Sequence, residues 1–134
     1  MSRKRKAVKM SWEKARDIQH KVVELVDKLQ LTYIDPQYII SFRSYGSSSR
    51  ARARIWSFPR VWQLALELPP HYVIEVLSEK FDRLNVDDQT RVLIHELMHI
   101  PKTFSGALAP HHGRFHAINH RTVEQLFQLF QGNK

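Results

Sequence analysis

Apolar positions along this chain change period several times, and each change marks an element. Trp12, Ala15, Val22, Val26 and Leu29 recur at helical spacing with Gln19 in the same row, so residues 12–30 read as an amphipathic helix that Ser11 is placed to cap. Ile34, Asp35 and Pro36 interrupt that pattern. Residues 38–45, YIISFRSY, are rich in β-branched and aromatic side chains and read as a strand, followed by a flexible GSSS turn over 46–49. Residues 50–58 then alternate strictly. Arg50, Arg52, Arg54 and Trp56 fall on one face, with Ala51, Ala53 and Ile55 on the other, which predicts a second strand and a hairpin over 38–58.

The rest of the chain follows the same logic. Residues 59–68 suit a short helix, and YVIEVL over 72–77 is nearly continuously apolar, as a buried strand is. Residues 78–88 connect to a helix over 89–100, with Asp87 and Asp88 where acids favour a helix start and Pro101 where the helix must stop. Residues 102–110 form a loop turning at Gly106. A second helix is expected within 111–130, its core stripe made by Phe115, Ile118, Thr122, Leu126 and Leu129.

Composition narrows the chemistry. A chain of 134 residues suits one core, so we divide it into a basic mobile tail over 1–10 and a single domain over 11–134. There is no Cys, so a bound metal would have to be held by His or carboxylate. No apolar run approaches a membrane span and no signal core follows the basic N-terminus, which points to a soluble cytoplasmic protein. The formal net charge of +8 favours acidic partners, although a solvated surface carries such a surplus equally well.

The most specific stretch is His95-Glu96-Leu97-Met98-His99. Residues four apart on a helix share a face, so His95 and His99 can point at one ion. Glu96 lies beside them, where a carboxylate can take a proton from a metal-bound water. The extended metzincin pattern is excluded, because Lys102 and Ser105 stand where it needs Gly and His. A third ligand must therefore return from the following loop or helix, and His111, His112, His116 and Glu124 are the candidates. Glu75, the lone acid of its strand, is placed to accept a hydrogen bond from a liganding His, or to face solvent at a strand edge. Tyr33, Tyr38, Tyr45 and Tyr72 can donate to an oxyanion, but nothing in the pattern selects one. Arg50, Arg52 and Arg54 with Trp56 form either a solvated edge or a surface that tracks phosphates, together with the basic tail.

The segments YVIEVLSEKFDRLN and VLIHELMHIPKTFSGALAPHHGRF resemble the archaeal and phage metallopeptidase family, a small HExxH group, over roughly residues 38–130. The chain is also similar, more distantly, to SprT-like zincins. The resemblance implies an α+β zincin-like domain, a small antiparallel or mixed sheet with the HExxH helix packed across it. It further implies one zinc ion and a protein or peptide substrate, with Glu96 as general base. The first family implies His111, after Pro110, as third ligand; the second implies His112, before Gly113. We take His111, with His112 and then His116 as alternatives. Two rival functions stand beside peptide hydrolysis: a zinc-dependent hydrolase or binding protein acting on nucleic acid, and a non-catalytic zinc module.

Overall fold

The computed structural model describes residues 9–113 and 117–133. Residues 1–8 of the tail expected over 1–10, and with them Phe115 and His116, lie outside the described residues. Four strands form one mixed sheet: β1 (Ser11–Lys14), β2 (Ile39–Tyr45), β3 (Ala53–Trp56) and β4 (Tyr72–Leu77), in the order β1-β2-β4-β3. The helices are α1 (Arg16–Lys28), α2 (Arg60–Leu66), α3 (Ser78–Phe81), α4 (Val86–Met98) and α5 (His120–Gly132). This is the α+β arrangement expected, with a mixed sheet.

The 38–58 hairpin does not form. β4 lies between β2 and β3, parallel to the first and antiparallel to the second. The reason is apolarity: β4 buries five of its six residues (BiBBBB), which only a central strand can do, and it displaces the half-polar β3 to the edge. The first helix also starts later than expected. Ser11–Lys14 pair antiparallel with Phe42–Tyr45, so Ser11 lies in a strand and caps nothing, and Ala15 precedes α1 without a side-chain cap. Trp12 fits the helical row, yet as a strand residue it shares the outer sheet face with Phe42, Val73 and Trp56.

The inner face carries the core. Ile39, Ala53, Ile55, Tyr72, Ile74 and Val76 pack against Val22 and Leu25 of α1 and Leu93 and Leu97 of α4, and Phe127 and Phe130 of α5 complete the cluster. Each Val, Leu, Ile or Phe side chain among them contributes about 1.5–3 kcal/mol when fully buried. The buried residues of α5 are Val123, Phe127 and Phe130, one position round from the expected stripe; Leu129 is 50% exposed. That helix begins only at His120, because Asn119 and Thr122 make a reciprocal capping box there. His111 and His112 therefore belong to an extended return, in which His112 bridges Ala117.

Arg43 of β2 locks the outer end of this layer, binding Asp17 of α1 at 3.0–3.1 Å and Asp82, just after α3, at the same range. Its hydrogen bonds hold the Asp17 carboxyl below the usual range. Among the described residues, no helix is long and apolar enough to cross a membrane.

Candidate metal centre

α4 owes its position to both ends and one face. Asn85 caps it by accepting from the Asp88 amide at 2.8 Å, and Asp87 and Asp88 sit in its first turn as the charge pattern requires. Leu93, Ile94 and Leu97 bury its inner side. The helix closes at His99, two residues before Pro101, so the second histidine stands where the backbone is turning away.

The loop that follows is stapled at several points. The Gly106 amide donates to the Tyr72 hydroxyl at 2.8 Å, and that hydroxyl donates to the Ala107 carbonyl at 2.8 Å. Gln63 of α2, itself buried, donates to the carbonyls of Phe58 and Ser105 at 2.9 and 2.8 Å. Gly106 has a φ of +92°, and a β-carbon there would collide with the Phe58 carbonyl, so glycine is required. Tyr72 is thereby committed to the loop and is 1% exposed, which removes it from the candidate oxyanion donors.

This return brings His111 over α4. Each of His95, His99 and His111 offers one ring nitrogen within 4.8 Å of the others. The Nε2 atoms of His95 and His111 are 3.2 Å apart, and the rings of His99 and His111 stand 4.5 Å apart, edge to face. His99 Nδ1 donates to the Ala109 carbonyl at 2.7 Å, so in the neutral ring Nε2 carries the lone pair that can bind a metal. Burial, with the neighbouring His99, His111 and His120, lowers the His95 pKa to about 4 and keeps its ring neutral, the state a metal requires. Three imidazoles without thiolate, one oriented by a carbonyl, form a donor set suited to a borderline divalent ion with one position left over.

Glu96 is 8% exposed and lies beside this cluster, where burial pushes its carboxyl up to about 8. A cleft of about 530 Å³ opens beside His95 and Glu96 and is also lined by Arg50, Arg52, Arg91 and His120.

The other candidates are placed elsewhere. His112 is exposed and stands outside the cluster. Glu124 bonds Arg91 Nε at 2.8 Å, which holds its carboxyl below the usual range and commits it to that pair. Glu75 turns to the outer sheet face. It accepts from Arg54 Nε and Nη2 at 3.0 and 3.1 Å and from Trp56 Nε1 at 2.8 Å, so it supports no histidine. The arginine row is divided by the same contacts: Arg54 and Trp56 are tied to Glu75, whereas Arg50 and Arg52 border the cleft. The Ala109 carbonyl, which takes the place foreseen for Glu75, is a backbone group and leaves no mark in residue type.

A family model described as "Putative phage metallopeptidase" matches residues 10–131. No curated protein and no solved structure matches significantly.

Proposed function

Since the chain belongs to the phage metallopeptidase family, we propose that it hydrolyses peptide bonds with one zinc ion held by His95, His99 and His111. The observation that carries this reading is the convergence of three ring nitrogens within 4.8 Å, with a buried carboxylate beside them. Zinc, when bound, would lower the pKa of its water and polarise the scissile carbonyl.

The remaining work falls to side chains. Glu96 accepts a proton from the attacking water and returns it to the leaving amine. Burial raises the proton affinity of Glu96, so it acts as a base only in the ionised state that a cation bound beside it would favour. An extended chain would meet Glu96 in the cleft that Arg50, Arg52 and His120 also line.

The decisive experiment is Glu96→Gln. The variant should keep its zinc, as a proton acceptor outside the ligand set does, and hydrolysis should fall by at least about 10²-fold on a peptide library. Loss of zinc with the carboxylate would make Glu96 a ligand or a support for one. Equal cleavage by parent and variant would remove its role as base.

A further inference from the structure

The cleft beside Glu96 has unequal charge partners, and the inequality names a substrate. Among its cations Arg91 is already satisfied: Nε and Nη2 bind Glu124 at 2.8 and 3.4 Å, and Nη1 binds Asp88 at 2.9 Å. The two acids on the α4–α5 side of the cleft, Glu124 and Asp88, share that one guanidinium. On the opposite side Arg50 and Arg52 line the same space, both exposed. Neither side chain has an ion-pair partner among the described residues. The Leu77 amide donates to the Arg52 carbonyl at 3.0 Å, so the backbone that carries these arginines is pinned to β4.

Resting on the peptidase reading above, we propose that the cleft selects peptides with an aspartate or glutamate close to the scissile bond, its carboxylate held by Arg50 and Arg52. Guanidinium groups match carboxylates in shape, and such charge-assisted bonds are stronger than neutral ones. A nucleic-acid strand fits less well. A phosphate track needs a run of cationic sites, but the third arginine in line, Arg54, is bound to Glu75, which leaves Arg50 and Arg52 alone in the row.

The test uses labelled peptides of one sequence that carry Glu, Gln or Lys at a single position, moved stepwise along the chain. Binding is read by fluorescence anisotropy on the full zinc-loaded protein carrying Glu96→Gln, so that hydrolysis does not enter the signal. At the best position the Glu peptide should bind about tenfold more tightly than the Gln peptide. Adding Arg50→Gln and Arg52→Gln should bring that ratio near one, with an unchanged thermal melt showing that the exposed replacements leave the fold intact. Equal affinity for Glu and Gln peptides overturns the proposal. So does a single-stranded oligonucleotide that displaces the acidic peptide at lower concentration than unlabelled peptide does, which assigns the arginines to phosphate. Cleavage by the parent chain reports on the other reading separately. Selective binding without cleavage of any peptide keeps the arginine site and removes the peptidase activity. Cleavage of Glu and Gln peptides at equal rates keeps the activity and removes the arginine site.

Discussion

His99 and Ala109 grip each other twice: the His99 ring donates through Nδ1 to the Ala109 carbonyl at 2.7 Å, and the Ala109 amide donates to the His99 carbonyl at 2.7 Å. The end of α4 and the end of the loop are therefore one unit. That unit sets both the orientation of the second histidine and the place where the chain delivers His111, two residues later. A metal centre assembled in this way depends on the loop as much as on the helix.

Replacing Gly106 tests that dependence directly. Gly106→Ala puts a β-carbon against the Phe58 carbonyl at a positive φ, so the loop must move. Metal affinity should fall by about 10–100-fold, the usual cost of losing a support for a ligand. Competition with a chelating dye measures it; an affinity equal to the parent's would show that the loop does not govern His111.

Ligand identity separates two adjacent histidines. Metal analysis should find about one zinc per chain, and His95→Ala or His99→Ala should abolish tight binding. His111→Ala should weaken binding severely, while His112→Ala, an exposed residue outside the ring cluster, should bind as the parent does. A damaging His112→Ala beside a silent His111→Ala would reassign the third position.

A pH series addresses Glu75, which is 1% exposed. Burial alone would raise its pKa, but hydrogen bonds from Arg54 and Trp56 outweigh that and hold it below the ordinary value of 4.5. A carboxyl depressed by folding stabilises the native state above its unfolded pKa and loses that contribution as pH falls through the folded one. Glu75→Gln should therefore cost about 1–2 kcal/mol near neutral pH, a range reduced because Arg54 is partly exposed. Urea midpoints should show the gap between parent and variant closing below about pH 4.5. A gap independent of pH would mean that the charge on Glu75 is not what the variant loses.

Several features were legible in the chain because they depend on near neighbours. Hydrogen bonds within a helix join residues four apart, so the spacing of His95 and His99 already puts both on one face, and Asp87, Asp88 and Pro101 bracket that helix. The continuous apolarity of Tyr72–Leu77 likewise announced a buried strand, which is where β4 lies. Strand partners are another matter. Trp12 fits a helical row as well as a strand, and only the antiparallel pairing of Ser11–Lys14 with β2 decides between them. The hairpin expected over 38–58 failed for the same reason, since local alternation in β2 and β3 is silent about β4 coming between them. Tertiary structure also assigned Glu75 to Arg54 and Trp56, and Glu124 to Arg91, because the partners of a side chain are set by packing between distant segments. It likewise brought His111, rather than His112, beside the motif. Composition and periodicity determined which residues can carry this chemistry. Long-range pairing and the stapled loop decided which of them meet.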